Sequence, residues 1–256
     1  MPIVILIFLA FVSGCYTDPE PGSLQDTLAR VVPEIIDTIP HDTEAFTQGL
    51  LYHNGFLYES TGKYGTSSLR KIDPSDGTIL VNNRVPEVFA EGLAVYNGRF
   101  VQLTWRSQSA LLYDTGSLAP VDTFSYRGEG WGLTTGAHHF IMSNGSDTLY
   151  FRDNAFMVTG AVQVTQDDKP LARLNELEYA RGLVYANVWF SNYIFEIDLQ
   201  TGSVLKYIDC TDLVKRAGAE SEQDVLNGVA YDKARDIFYL TGKNWSTIFV
   251  VKIPRE

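Results

Sequence analysis

One carboxylate and one ammonium stand among indoles and carboxamides at positions that a repeating phrase brings into line. The phrase is a small dipeptide opening an apolar strand: Gln48-Gly49-Leu50, Glu91-Gly92-Leu93, Trp131-Gly132-Leu133, Asn175-Glu176-Leu177 and Asn227-Gly228-Val229. Its first residue is therefore Gln48, Glu91, Trp131, Asn175 or Asn227. The end of the strand that follows each phrase supplies a second set: Thr61, Trp105, Asn144, Trp189 and Lys243. Packing alone rarely gathers such a collection, and convergent polar groups among aromatics are the usual furnishing of a binding or active site. The pairing of Glu91 with Lys243 matters most, because a passive binding platform has no need of it.

The elements that must position these residues are short strands. The apolar third residues of the phrases lie 43, 40, 44 and 52 positions apart, a period that with several strands per unit signals an all-β fold, the five-bladed β-propeller. Each phrase runs into a turn such as His53-Asn54-Gly55 or Tyr96-Asn97-Gly98 and then into a second strand, "FLYEST" or "RFVQLTW". Asn-Gly between alternating apolar residues is a hairpin signal. Third strands end in Asp-containing turns, Asp73 to Gly77 and Asp198 to Gly202, where Asp accepts backbone hydrogen bonds. The leading stretch Val31–Ile36 is expected to complete the last blade and close the ring, which removes free sheet edges. The longer final gap holds "CTDLVKRAGAESEQDV", expected to be a helical insertion over one mouth of the channel. With the phrase on the innermost strand of each blade, both sets converge on that mouth.

Composition agrees with this architecture. The chain has 256 residues, 14 Tyr and 14 Phe, enough for one large all-β domain of half-buried strands. Twenty Lys and Arg against 31 Asp and Glu leave a net charge of −11, which argues against nucleic acid as a partner. Residues 1–14 read as a signal peptide: Pro2 to Val12 is apolar but too short to span a bilayer, and Val12-Ser13-Gly14-Cys15 resembles the lipobox of bacterial lipoproteins. No Lys or Arg precedes the apolar run, and an ordinary secretory signal with an incidental cysteine is the alternative. On the first reading Cys15 carries lipid, residues 15–30 form a solvated tether, residues 31–256 form the propeller, and the protein is held in the cell envelope of a bacterium. Cys210 is then left without a disulfide partner, and its place at the end of an apolar strand marks it as a small buried thiol.

Seven ordered stretches carry a more specific resemblance: "HDTEAFTQGL", "YESTGKYGTSSL", "EGLAVYNGRFVQLTW", "GEGWGL", "LNELEY", "YANVW", and "VLNGVAYD" with "LTGKNW". Together they resemble the glutaminyl cyclotransferases of the plant and bacterial type, five-bladed propellers unrelated to the zinc-dependent animal enzyme, over roughly Val31 to Ile253. The resemblance implies closure of an N-terminal glutamine of a peptide or protein to pyroglutamate with release of ammonia. It also implies roles. Glu91 would relay a proton from the attacking amine to the leaving ammonia. Lys243, Gln48 and Asn175 would hold the amide oxygen as it gains charge. Trp105, Trp131 and Trp189 would confine the glutamine side chain in a dry slot, with Phe46 and Asn227 beside the substrate.

No cofactor is expected for catalysis, although a structural ion in the channel is compatible with the fold, and the protein is expected to act as a monomer. His138-His139 has no Cys or carboxylate at ligand spacing, so no metal site is assigned there. Two other functions remain open because fold does not fix function. One is a non-catalytic propeller that binds peptides or glycans. The other is a metal-dependent hydrolase or lactonase, which would need several carboxylates on the axis where Glu91 stands with only Glu176 and Glu178 nearby.

Overall fold

The computed structural model describes residues 28–136, 139–219 and 221–255; the stretch read as a signal peptide, most of that read as a tether, and Cys15 lie outside them. Five sheets, antiparallel but for one edge strand, follow one another along the chain as blades 1 to 5. Their inner strands are Thr47–His53, Ala90–Tyr96, Leu133–Thr135, Leu174–Ala180 and Leu226–Asp232. Each inner strand packs against the next, and that of blade 5 packs against that of blade 1. The five-bladed ring is therefore closed.

Burial explains why these sequences take these places. Inner strands are buried along nearly their whole length, whereas an outer strand such as Ile79–Arg84 alternates exposed and half-buried residues. The apolar clusters lie between blades: Leu51, Tyr58 and Leu69 of blade 1 pack with Leu93, Phe100 and Tyr113 of blade 2. Asn54 and Gly55 adopt φ of 48° and 85°, the paired positive values of a tight hairpin turn that matches strand twist.

Ring closure differs from the single strand expected over Val31–Ile36. Glu34–Pro40 pairs antiparallel with Thr247–Lys252 and completes blade 5. Ala29–Val31 instead runs parallel to Val204–Asp209 as a fifth strand of blade 4, tied by Arg30 to Asp209 at 2.6 Å. The chain crosses between blades at Val32-Pro33, and Pro33 has no N–H with which to continue a ladder. Ala29 and Arg30, expected in the tether, thus belong to the propeller.

A buried polar cluster fastens the closing segment. His41 bonds Glu59 through Nε2 and the Trp245 carbonyl through Nδ1, each at 2.8 Å, and Thr47 Oγ1 donates to the same Glu59 carboxylate at 2.7 Å. Burial disfavours both charges, yet Glu59 holds the imidazole above its ordinary pKa, and His41 and Arg70 hold Glu59 below its own.

The insertion is less helical than expected. Its helix, Thr211–Arg216, has six residues, and Cys210 before it is fully buried, as its sequence context implied. Beyond the helix the chain turns and brings Gln223 to the channel mouth.

Candidate active site

At one mouth of the ring lies a cavity of about 580 Å³. Its polar groups come from a recurrent irregularity of the inner strands. In blade 1, Thr47 pairs with Thr61 but Gly49 with Ser60; in blade 2, Ala90 pairs with Thr104 but Leu93 with Gln102. Blades 4 and 5 slip at Leu174/Leu177 and Leu226/Val229. Each slip is a β-bulge at the small dipeptide, and bulges re-aim side chains next to functional sites. Gln48, Glu91 and Asn175 line the cavity from these bulges. Asn227 supports them from behind: its Nδ2 donates to Gln48 Oε1 at 3.3 Å and to the Thr47 carbonyl at 2.9 Å.

Glycine allows the bulged backbones to meet. A Cβ on Gly92 would collide with the Leu133 amide, and one on Gly132 with the Asn175 carbonyl. The Gly92 N–H donates to the Trp131 carbonyl at 2.7 Å, which joins blades 2 and 3 beside their cavity residues. Trp131 lies just before its strand, with its N–H on the Ser143 carbonyl at 3.1 Å.

Aromatic residues make the wall. Trp131 meets Trp189 edge-on at 5.5 Å between centroids, and Trp105 meets Phe89 at 5.6 Å, which in turn meets Phe46 at 6.2 Å. Of the second expected set, Trp105, Trp189 and Lys243 reach the cavity. Thr61 and Asn144 do not: Thr61 bonds Ser68 within blade 1, and Asn144 Oδ1 accepts from the Ser146 N–H and hydroxyl in a turn. Glu176, one of the two carboxylates expected near Glu91, ties blades together by accepting from the N–H groups of Leu50 at 3.2 Å and Val229 at 2.9 Å.

Sequence reasoning gave no role to Phe89, Glu129, Lys63, Arg106 or Gln223, all of which line the cavity. Phe89 and Glu129 had a findable signal. Each stands two residues before a phrase, as Phe46 does before Gln48, and a period of two returns a strand to the same face. Glu129 Oε2 accepts both indole N–H groups, from Trp105 at 2.8 Å and Trp131 at 3.1 Å, while Oε1 pairs with Arg106 at 2.9 Å. The Arg106 guanidinium also covers the Trp105 ring at 3.8 Å.

The two central charges are almost sealed from solvent, each residue being 4% exposed. Burial pushes Glu91 well above its ordinary carboxylate pKa; the Lys243 ammonium pulls it back and Glu129 adds to the rise. Burial likewise pushes Lys243 down to about 8, opposed by Glu91 and assisted by Lys63. The ammonium faces the rings of Phe46 at 4.7 Å and Trp189 at 6.0 Å. Among the described residues no hydrogen bond reaches the Glu91 carboxyl, and the buried Oδ1 of Asn175 has no partner. Glu91 and Asn175 both belong to the cavity lining. A titratable carboxyl, a cation and an unmet acceptor in an aromatic cavity suit proton transfer at an amide.

Residues 6–253 match the glutamine cyclotransferase family. The chain belongs to that family. It is 35% identical, over all of its length and 83% of the relative's, to a glutaminyl-peptide cyclotransferase of Arabidopsis thaliana. It also superposes with a TM-score of 0.85 on the crystal structure of Myxococcus xanthus glutaminyl cyclase, at 36% identity, covering 88% of this chain and 98% of that one. The glutamine cyclotransferase fold thus carries the cavity just described.

Elsewhere, among the described residues, no group of three or more His, Cys, Asp and Glu side chains is placed to hold a metal. His139 packs edge-on against Phe151 at 5.0 Å, and His138 lies outside the described residues.

Glu129→Ala should loosen the aromatic wall by leaving two indole N–H groups unmet. The expected loss is about 1 kcal/mol, a fall in Tm of about 2–4 °C for a domain of this size. A red shift of tryptophan emission should accompany it. Unchanged Tm and emission would show that Glu129 does not hold the indoles.

Proposed function

We propose that the chain is a glutaminyl-peptide cyclotransferase that closes the N-terminal glutamine of peptides or proteins to pyroglutamate and releases ammonia. The observation that carries this reading is Glu91, a nearly buried carboxyl of raised pKa, set beside Lys243 in an aromatic cavity of a glutamine cyclotransferase propeller. In formal terms the γ-acyl group passes from ammonia to the substrate's own α-amine, which makes the reaction an aminoacyl transfer.

The tether between amine and carboxamide removes most of the entropic barrier, so the protein's task is orientation and proton traffic. The aromatic walls hold the glutamine side chain folded and exclude water. Asn175 Oδ1 accepts from the α-amine, aligning its lone pair with the carboxamide carbon. As the amine attacks, the carbonyl oxygen gains negative charge against the Lys243 ammonium and the amide N–H of Gln48. Glu91, protonated at the start, delivers its proton to the departing nitrogen, which leaves as ammonia, and regains one from the ring nitrogen. Its raised pKa suits both halves of that transfer near neutral pH. The Lys243 pKa of about 8 keeps most of the cation charged at pH 7. These residues supply the proton carrier and the counter-charge without assistance from a cofactor.

We further propose that the propeller is tethered to a bacterial envelope membrane through Cys15. The lipobox-like Val-Ser-Gly-Cys after an apolar run supports this.

Glu91→Gln preserves size while removing the titrating group. For a Gln-initiated peptide, kcat should fall about a hundredfold to ten-thousandfold with little change in KM, measured as ammonia release with and without a chelator. A well-folded variant that keeps most of its kcat would transfer the proton role elsewhere, and loss of wild-type activity to the chelator would bring a metal into the chemistry. Mass spectrometry of the membrane fraction checks the anchor: a lipid-modified N-terminus at Cys15 is expected, and an unmodified soluble chain starting elsewhere would refute it.

A further inference from the structure

A second cavity, of about 540 Å³, opens in the crevice between blades 2 and 3, and Glu129 borders both it and the first. Its inner end holds Arg152, from the third strand of blade 3, Thr148–Arg152. The residue is only 6% exposed. Its Nη1 donates to the Phe156 carbonyl at 2.8 Å, and its Nε points at the Met142 sulfur, a weak acceptor, at 3.1 Å. Among the described residues no group accepts from Nη2 and no carboxylate comes within ion-pair distance. Burial pushes the guanidinium pKa down, and what opposes that is the phenols of Tyr126 and Tyr150.

A buried cation without a counter-ion is expensive, and an apolar residue of similar length would fill the crevice at lower cost. The wall around it is largely aromatic and apolar, with Ser125 and Asn144 among the lining: the guanidinium lies 4.9 Å from the Phe156 ring and 5.4 Å from Tyr126, while Met157 and Val158 stand exposed at the rim. Arg127 adds positive charge to the lining. Glu129 does not quench that charge, because its carboxylate is engaged by Arg106 and two indoles. This is the chemistry of a pocket for a carboxylate carried on an apolar neck.

The crevice adjoins the reaction cavity. The Tyr126 side chain stands between them, its hydroxyl held by the Thr104 backbone and close enough to feel both Glu91 and Arg152. Glu129 lines both cavities, so a peptide whose first residue fills the aromatic cavity and whose chain leaves across that shared rim enters the crevice next. We propose that the crevice is a subsite for a carboxylate that the substrate carries downstream of its N-terminal glutamine, with Arg152 as its counter-ion. This proposal rests on the cyclotransferase reading above.

The test uses short amidated Gln-initiated peptides with one Glu moved through positions two to four, each compared with the peptide bearing Gln at that place. A neutral peptide with a free or an amidated C-terminus is assayed alongside. In the wild type, one placement of the carboxylate should raise kcat/KM about tenfold or more, mainly through KM, because a hydrogen bond to a buried charge discriminates by that order. Gain from Glu identifies a side-chain carboxylate, and gain from the free terminus a main-chain one. Arg152→Met should bring the ratio close to one, and Arg152→Lys should keep part of it. No gain for any placement in the wild type, or an undiminished gain in a folded Arg152→Met, would overturn the proposal. Calorimetric titration with unreactive pyroglutamate-initiated acidic and neutral peptides separates the two readings. Arg152-dependent preference for the acidic peptide without turnover of any Gln peptide would support the crevice and refute cyclisation; turnover without such a preference would do the reverse.

Discussion

The site depends on one backbone constraint: inner strands must approach each other closely enough, at their first residues, for side chains from separate blades to share a cavity. Glycine in the phrase removes the Cβ that would prevent it, as the collisions predicted at Gly92 and Gly132 show. The bulge at the same place turns the preceding side chain toward the mouth. Where blade 4 has Glu176 instead of glycine, the carboxylate is used as a tie and accepts backbone N–H groups from blades 1 and 5. One local irregularity, repeated around the ring, therefore closes the packing and builds the site.

Electrostatics follow from that crowding. Strands packed this closely leave little water around Glu91 and Lys243, so burial dominates the titration of both, moving one pKa up and the other down. Each partially restores the other's charge. A protonatable carboxyl beside an ammonium of modest pKa is better matched to moving a proton near neutrality than either group in water. The aromatic wall keeps this balance only while it is rigid, and Glu129 braces it from the rim by holding two indoles at once.

The blade count and most of the cavity were legible in the sequence because inner strands are buried nearly throughout, which leaves a strong apolar phrase at each turn of the period. Gln48, Glu91 and Asn175 could be read from their place in the phrase, and Trp105, Trp189 and Lys243 from the strand that follows. The same rule misplaced Thr61 and Asn144, whose short side chains are satisfied locally by Ser68 and Ser146. It put Asn227 at the cavity, whereas the side chain spends its hydrogen bonds on blade 1. Glu129 and Phe89 were passed over because they lie outside the phrase, although strand alternation returns them to its face. The split closing strand turned on Pro33, a single missing donor in an otherwise continuous pattern.

The protonation of Glu91 in the free protein lies at the centre of this mechanism. Infrared difference spectroscopy of wild type against Glu91→Gln, taken across pH 5 to 9, observes it without any substrate. A protonated-carboxyl stretch that is present in the wild type above pH 5, absent in the variant and lost only at higher pH would establish the raised pKa that the buried cavity imposes. A Glu91 signal in the carboxylate region from pH 5 upward would contradict it.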